Sequence, residues 1–269
     1  MTLLRVGDAE VASYVVDPDL DIRLAPRPYL HPVRTLGGTT VTDALPEDHP
    51  WHLGASVAVQ DVDGVNVWGG RTYVRDAGYV WRDDHGRVVH AEWLGTGDGF
   101  AERLRWCDQS GRVLLDERRE VSARAAPHGW LLSFGYALSA PAPRDVTLGS
   151  PATNGRDGAG YGGFLWRATA GAARAFTASG EGEQAVHGSA EPWLAVTVAD
   201  AYTLAFSGLA GDDRWFVRTG DYVGVCAALA FARPLRVPAG GTLARRLSVL
   251  VADGALDRDQ VRAGLGQSL

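Results

Sequence analysis

Histidines close to an arginine and to tryptophans are the side chains of this sequence best suited to chemistry. His31, His49 and His52 are three of the seven histidines and all fall within residues 31–52. Pro50 biases His49 towards an extended backbone, and an extended H-x-x-H can present both rings to one cavity. Neutral imidazole is the commonest metal ligand and the usual acid–base group near pH 7. His49 and His52 are therefore predicted to be catalytic. The alternatives are that these two rings bind a divalent metal ion, or that they only satisfy loop backbone groups.

Two further residues are predicted to complete the catalytic group. Arg34 lies close to the first histidine and is expected to orient a hydroxyl or carboxylate group of a ligand. His90 and Glu92 alternate along one predicted strand, so both side chains lie on one face and can enter the same pocket. A histidine satisfied within the core is the alternative for His90. His31 is expected to contact the ligand on the same wall.

A glycine-rich segment at 149–163 supplies further candidate binding residues. Its glycines let the backbone pass close to a ligand, while Asn154, Arg156 and Tyr161 offer hydrogen-bond donors on a mobile rim. A plain flexible loop is the alternative. Trp68 and Trp166, two of the nine tryptophans, lie near these polar segments. An indole face stacks well on the apolar face of a sugar, so both are predicted to bind substrate, with core packing as the alternative.

Composition and charge exclude several classes of function. All 26 basic residues are arginine, which excludes a Schiff-base lysine and a phosphate-loop lysine. The net charge is −6 and there is no basic block, so nucleic acid is not an expected partner. No apolar run reaches the length of a membrane span, and residues 1–8 carry no secretory signal, so a cytoplasmic protein is expected. Cys107 and Cys226 are expected to be buried thiols rather than a disulfide.

Period-two alternation of apolar residues, punctuated by turns, predicts an all-β fold. The clearest hairpin joins 55–60 to 65–68 around a turn at 61–64, where Asp-Gly supplies positive φ values; a second joins 100–107 to 112–123. Only 257–265 predicts a helix, with Asp257 as its N-cap. The other predicted strands are 130–138, 144–148, 193–198, 202–207, 214–217, 222–231 and 242–251. Many short strands without a linker predict one domain over 1–269, a large antiparallel β-sandwich with a short C-terminal helix. The ligand pocket is expected between its two layers.

Several short motifs, in order, resemble a bacterial family of unknown function usually labelled PmoA-like or "methane oxygenase PmoA". They are residues 27–32, 41–43, 48–52, 61–64 with Trp68, 86–90 and 160–163, and the resemblance continues through 220–222 and 238–241. The label implies a subunit of a membrane-bound methane monooxygenase, which the lack of an apolar span argues against. Members often accompany sugar-oxidising dehydrogenases, which implies a role in carbohydrate catabolism.

The strand-rich layout also resembles the galactose-mutarotase supersandwich. That resemblance implies a histidine acid and a glutamate base near the C-terminus. The last glutamate of this chain is Glu191, so the glutamate base is not carried over.

The sequence thus predicts a carbohydrate-related enzyme that uses His49 and His52 as acid–base groups on a monosaccharide or an oxidised glycoside. The reaction is an epimerisation, an elimination or a hydrolysis. The alternatives are a noncatalytic module that binds or senses a sugar through its tryptophans, and a metal-dependent enzyme. A small sugar is the expected partner. No cofactor is assigned beyond the optional divalent metal, and a homodimer is left open.

Overall fold

The computed structural model describes residues 2–266. Within them lie twenty strands and two α-helices. The strands are β1 Thr2–Val6, β2 Ala9–Val15, β3 Tyr29–Val33, β4 Ala55–Val62, β5 Val65–Val67, β6 Thr72–Val74, β7 Gly78–Val80, β8 Arg87–Thr96, β9 Gly99–Cys107, β10 Val113–Ala126, β11 Gly129–Ser139, β12 Val146–Gly149, β13 Gly163–Arg167, β14 Ala173–Thr177, β15 Trp193–Val198, β16 Tyr202–Ser207, β17 Arg214–Arg218, β18 Gly224–Ala228, β19 Leu235–Val237 and β20 Thr242–Asp253. The helices are α1 Glu183–Val186 and α2 Arg258–Leu265.

These strands form two large sheets and one separate hairpin. The first sheet runs β1-β2-β3-β4-β13-β18-β17, with β5 and β12 paired to β4 and β19 paired to β12. The second sheet runs β14-β15-β16-β20-β11-β10-β9-β8, and β6 pairs only with β7. The pairings along both sheets are antiparallel. The predicted all-β antiparallel sandwich with a short C-terminal helix is confirmed.

Aromatic and aliphatic side chains fill the space between the two sheets. Phe164 on β13 packs against Phe134 on β11 with ring centroids 4.8 Å apart, and Trp166 packs against Phe206 on β16 at 5.8 Å. All four rings are almost fully buried in one apolar cluster. The sandwich interior is therefore a packed core, and the pocket expected between the layers lies elsewhere.

The outward face of the first sheet carries a second, smaller apolar cluster. Because neighbouring residues on a strand point to opposite faces, Leu165 lies on this face while Phe164 and Trp166 point inward. Leu165 packs there with Phe216 and Trp68. This outer cluster forms the floor on which a polar pocket is built.

Most of the predicted strands and turns are found. The hairpin of β4 and β5 closes at Asp63 and Gly64, with φ values of 50° and 84°. Strands β15 and β16 match the predicted ranges residue for residue. The strand found within the predicted range 222–231 is shorter than predicted, because β18 runs only from Gly224 to Ala228. Residues 221–223 are left in a loop beside the pocket.

Helix α2 begins and ends where the sequence predicts. The side chain of Asp257 accepts hydrogen bonds from the backbone N–H groups of Asp259 and Gln260, forming a capping box. The apolar residues Val261 and Leu265 of α2 pack on the outer face of the second sheet. The helix thus covers one end of that sheet.

Cys107 and Cys226 are free buried thiols, as predicted. In the part of the chain that the structure describes, no helix is long and apolar enough to cross a membrane.

Candidate active site

A pocket of about 550 Å³ opens on the outer face of the first sheet. Its walls come from the loop at 46–54, the end of β5 with the β6–β7 hairpin, the glycine-rich segment, and the end of β17 with the loop that follows. The lining contains two histidines, three arginines, three carboxylates and seven aromatic residues. This volume and this mixture of aromatic and convergent polar groups are typical of small-molecule sites.

Asp48 and His49 form a hydrogen-bonded pair in the wall of the pocket. The Nδ1 of His49 donates to Oδ2 of Asp48 over 2.7 Å. The side chain of His49 is 34% exposed and that of Asp48 is 44% exposed, so a ligand can reach the pair. Since Nδ1 carries the proton, the Nε2 of neutral His49 has a free lone pair. A carboxylate that orients an imidazole in this way is the usual support of a general base.

Arg167, at the end of β13, holds the carboxylate of Asp48 in place. Its Nη2 donates to both oxygens of Asp48, at 3.0 and 3.1 Å, and its side chain is only 6% exposed. Burial alone would raise the pKa of Asp48, but hydrogen bonds from His49 and Arg167 hold that pKa below its ordinary value. Asp48 is therefore ionised at neutral pH.

His52 contacts the same arginine and is buried. Its Nδ1 lies 3.2 Å from Nη1 of Arg167, and because a guanidinium can only donate, Nδ1 accepts. Burial is the main cause that lowers the pKa of His52 well below its ordinary value, and the positive charge of Arg167 adds to it. His52 is thus neutral, with its proton on Nε2.

The two imidazoles stack and offer complementary groups. Their ring centroids are 4.8 Å apart with an angle of 17° between the planes. The Nε2 of His49 is an acceptor, whereas the Nε2 of His52 is a donor. Tyr222 packs against both rings, at 5.1 and 5.2 Å, and its ring lies 4.7 Å from the Cζ of Arg167. The arrangement offers a base and a neutral hydrogen-bond donor side by side.

A strip of aromatic side chains, Trp68, Tyr161 and Tyr79, leads away from the histidines and is called the aromatic strip below. Trp68 contacts His52 at 5.5 Å and Tyr161 at 4.6 Å. The hydroxyl groups of Tyr161 and Tyr79 are 2.9 Å apart, and the guanidinium of Arg156 donates to Tyr79. Burial raises the pKa of Tyr161, so its phenol stays protonated. The strip connects the histidine end of the pocket to an arginine end.

Trp81 stands at the mouth of the pocket. Its side chain is 53% exposed, although a tryptophan is usually buried. The Cζ atoms of Arg23 and Arg71 each lie 5.9 Å from its ring. An exposed indole at the entrance of a pocket can stack on a flat apolar face of a ligand.

A fully buried arginine ties two walls of the pocket together. Arg27 donates to the backbone oxygens of Trp51 at 3.0 Å and Trp68 at 3.1 Å. It also donates to the backbone oxygen of Ala25 and to the hydroxyl of Ser56. The guanidinium thus joins the histidine loop to the end of β5 through their main chains.

The structure brings five of the ten predicted site residues into this pocket. They are His49, His52, Trp68, Arg156 and Tyr161. These residues come from three separate segments of the chain, which the outer face of the first sheet brings together.

The other five predicted residues do not line the pocket. Trp166 is fully buried in the sandwich core, where its Nε1 donates to the backbone oxygen of Val41 at 3.0 Å. Its strand position gives it the inward orientation, so it cannot stack on a ligand. Asn154 donates to Asp61 and thereby fastens the glycine-rich segment to β4.

His31 lies in the middle of β3 and Arg34 just beyond its end, and neither residue lines the pocket. The backbone oxygen of Arg34 accepts a hydrogen bond from the indole of Trp130. The Nδ1 of His31 lies 3.0 Å from the hydroxyl of Thr42. Thr42 belongs to the segment that follows β3, and Arg34 forms a β-bridge with Thr40 of the same segment.

His90 belongs to the other sheet, on its edge strand β8. Its Nδ1 lies 2.7 Å from Oε2 of the fully buried Glu102, which also bonds the hydroxyl of Tyr14. The strand register shifts between His90 and Glu92, so the expected alternation fails there, and Glu92 pairs with Arg103 instead. His90 is part of a structural network between the sheets.

Several pocket residues were not among the predicted site residues. Asp48 is one of these, and its position next to His49 in the sequence is the signal that points to it. Arg167 follows Trp166 directly, and the period of two along the strand puts the arginine, not the tryptophan, on the outer face. Tyr222 falls within the predicted strand 222–231 but lies in the loop before β18. Tyr79 on β7 and Trp81 just after it belong to a region where the alternation predicts no strand.

The arrangement of His49 and His52 does not fit a metal ion. The Nδ1 of His52 faces the guanidinium of Arg167. Two stacked rings have lone pairs in nearly parallel planes, and these cannot meet at one ion about 2.0 to 2.1 Å from each nitrogen. Across residues 2–266, no group of three or more His, Cys, Asp or Glu side chains is arranged to hold a metal.

Fold and site together define a large antiparallel β-sandwich protein with a histidine- and arginine-lined pocket on one outer face. The chain belongs to DUF6807, a family of unknown function, whose model matches residues 2–265. A comparison with curated proteins gives no match.

Among solved structures, matches include parts of much larger chains. The galactosidase domain of the alpha-galactosidase–sucrose kinase AgaSK aligns with a TM-score of 0.37 at 5% identity, over 81% of this chain and 32% of that one. The alpha-galactosidase from Lactobacillus brevis gives 0.33 at 7% identity, over 80% and 33%. The heparan sulfate lyase HepC from Pedobacter heparinus gives 0.30 at 12%, over 64% and 22%. The chain therefore spans between about a fifth and a third of the length of these proteins.

Proposed function

We propose that this protein is a sugar-active enzyme in which His49 moves a proton on a monosaccharide. The observation that carries the proposal is the pair of stacked imidazoles, with Asp48 on the Nδ1 of His49 and Arg167 on the Nδ1 of His52. Asp48 orients His49 as a base, and His52 keeps a neutral N–H next to it. A base next to a hydrogen-bond donor can remove a proton from the substrate and stabilise the negative charge that develops on a substrate oxygen.

The aromatic lining supports a sugar as the ligand. A pyranose has apolar C–H faces and a polar rim of hydroxyl groups. Tyr161 in the wall and the exposed Trp81 at the mouth offer stacking faces, while Trp68, which is only 4% exposed, packs against the Tyr161 ring. Carboxylates and guanidinium groups around them offer hydrogen bonds to hydroxyl groups.

The simplest reaction is an isomerisation that needs no co-reactant. His49 takes the proton of the anomeric hydroxyl, the bond from the anomeric carbon to the ring oxygen breaks as the carbonyl forms, and the ring oxygen takes the proton back from His49. Ring closure on the other face of the carbonyl reverses these steps. The N–H of His52 donates a hydrogen bond to the oxygen on which charge develops. Elimination or hydrolysis of a glycoside would begin at the same base and is a separate outcome of the test.

The test measures proton transfer on a panel of sugars. Freshly dissolved single anomers of glucose and galactose, and their methyl glycosides, are followed by ¹H NMR in D₂O with the full-length protein. Anomer exchange, deuterium entering a C–H position, or loss of the glycoside reports isomerisation, proton abstraction at carbon, or bond cleavage. His49→Gln is expected to lower the rate of turnover by about 10²- to 10⁴-fold while sugar binding remains, because glutamine keeps polarity but does not titrate.

His128→Gln is the matched control, since His128 is exposed in the turn between β10 and β11. An equal loss of rate in the His49 and His128 variants, or no change in either, would contradict the proposal. Sugar binding by a wild-type protein that leaves every proton and bond of the panel unchanged would instead support the noncatalytic module, which the exposed Trp81 favours.

A further inference from the structure

The three arginines of the pocket differ in how their charges are compensated. Nη1 of Arg218 lies 3.5 Å from Oε1 of Glu183, a carboxylate that does not line the pocket. The charge of Arg218 is therefore compensated, as Asp48 compensates the charge of Arg167. Arg71 and Arg156 line the pocket, and neither has a carboxylate within 4.0 Å among the described residues. Two uncompensated guanidinium groups therefore remain at one end of the site.

The β6–β7 hairpin holds both of these guanidinium groups in place. The Cζ of Arg156 lies 4.8 Å above the ring of Tyr79, and the Cζ of Arg71 lies 5.9 Å from the ring of Trp81. Both rings line the pocket, Tyr79 from β7 and Trp81 from the residue that follows this strand. Nη1 of Arg156 donates to the hydroxyl of Tyr79, which leaves the other N–H groups of this guanidinium for a ligand, and a guanidinium fork matches the two oxygens of a carboxylate.

Negative charges line the opposite end of the pocket. Glu47 and Asp221 lie beside Asp48 and Tyr222, next to the histidines. The aromatic strip separates them from Arg156, because the contacts run from His52 through Trp68 and Tyr161 to Tyr79. An anionic group is repelled from the acidic end and attracted to the arginine end, whereas carboxylates at the acidic end accept hydrogen bonds from hydroxyl groups.

From this polarity we infer that the substrate is a sugar acid whose carboxylate binds between Arg71 and Arg156. The inference rests on the proposed function, since it assigns the substrate class of the same pocket. The sugar ring then lies along Tyr161, and its hydroxyl groups face the Asp48–His49 pair. Binding of the carboxylate fixes which end of the sugar meets the base.

Matched pairs of acidic and neutral sugars test this inference. Dissociation constants are measured by calorimetry for glucuronate against glucose, galacturonate against galactose, and methyl glucuronide against methyl glucoside. The acid of at least one pair is expected to bind about 10- to 100-fold more tightly than its neutral partner, as charge-assisted hydrogen bonds to two guanidinium groups require. The advantage should shrink as salt is raised, because both arginines are exposed.

Arg71→Gln with Arg156→Gln is expected to reduce the ratio of the two dissociation constants to near one. Arg124→Gln removes an exposed charge on β10, away from the pocket, and should leave the ratio unchanged. Equal binding of acid and neutral sugar by the wild-type protein would overturn the inference and leave the proposed function standing. A preference for the acid that persists in the double variant would also overturn it. Failure of every sugar in the panel to bind would count against the proposed function itself.

Discussion

Arg167 donates from one nitrogen to both carboxylate oxygens of Asp48, and so sets the position of the group that orients His49. Arg167→Gln removes this charge while it keeps a donor. The pKa of Asp48 is expected to rise towards its ordinary value, because one of the two residues that hold it down is lost. A pH titration of the ¹³C-labelled aspartate carboxyl groups measures the change. An unshifted Asp48 resonance would show that Arg167 does not control this carboxylate.

The buried His52 should make the protein less stable as the pH falls. Burial lowers the pKa of His52 in the folded state, so the unfolded chain takes up a proton near pH 6.5 that the folded chain does not. The free energy of unfolding should therefore decrease by up to about 1.4 kcal/mol per pH unit below pH 6.5, down to the folded pKa. In His52→Gln this contribution disappears. Urea unfolding of both proteins at pH 7.5, 6.5 and 5.5 provides the comparison, and parallel pH dependences would refute the assignment.

Removal of Arg27 should destabilise the fold and loosen the pocket. Arg27→Leu leaves the buried backbone oxygens of Ala25, Trp51 and Trp68 without their donor. The expected loss is about 2 to 4 kcal/mol of unfolding free energy. Arg124→Leu, at an exposed position, should change it by no more than about 0.5 kcal/mol. Chemical denaturation followed by tryptophan fluorescence measures both, and similar values for the two variants would contradict the role given to Arg27.

Gly70 allows a close approach of the β5–β6 connection to the ring of Trp51. A Cβ atom at this position would lie 2.6 Å from the Trp51 ring, and the φ of Gly70 is 71°. Gly64→Ala is the matched control, because Gly64 has a φ of 84° and nothing within 4 Å of its Cβ position. Both variants carry backbone strain, but only Gly70→Ala carries the clash, which should add about 1 to 3 kcal/mol. Equal destabilisation of the two variants would mean that the Trp51 ring moves aside freely.

The ion pair of Arg119 and Glu117 should be essential to the core between the sheets. Both side chains are fully buried, and Arg119 also donates to the hydroxyl of Tyr14. Arg119→Met leaves buried carboxylates without a positive partner and is expected to cost about 3 to 5 kcal/mol. Arg118→Met, next in the chain but 56% exposed, should cost less than about 1 kcal/mol. Thermal and urea unfolding decide the matter; comparable stability of the two variants would exclude a structural role for the buried pair.

The sequence predicts the sandwich well because period-two alternation and Asp-Gly turns are local signals. The same alternation predicts that Trp166 and Arg167 point to opposite faces of the sheet, but it does not show which of the two points into the core. That choice depends on which other strands share the face. The bulge at His90 likewise arises from the pairing with β9, so no local pattern reveals it.

The histidine loop was predictable for a different reason. His49, Pro50 and His52 lie close together in the sequence, so their mutual arrangement depends on a few backbone angles. Partners such as Arg167 and Tyr222 lie more than a hundred residues away and reach the loop only through the order of strands in the first sheet. Strand order is set by nonlocal packing, which a single sequence does not display.

Because the pocket stands on the outside of the sandwich, its chemistry and the hydrophobic core occupy different layers of the molecule. Loops around the pocket can change length or residue type without opening a void among Phe134, Phe164 and Trp166. Substitutions of exposed pocket residues can therefore change what the pocket binds and leave this core intact, with the first sheet as the layer that both share.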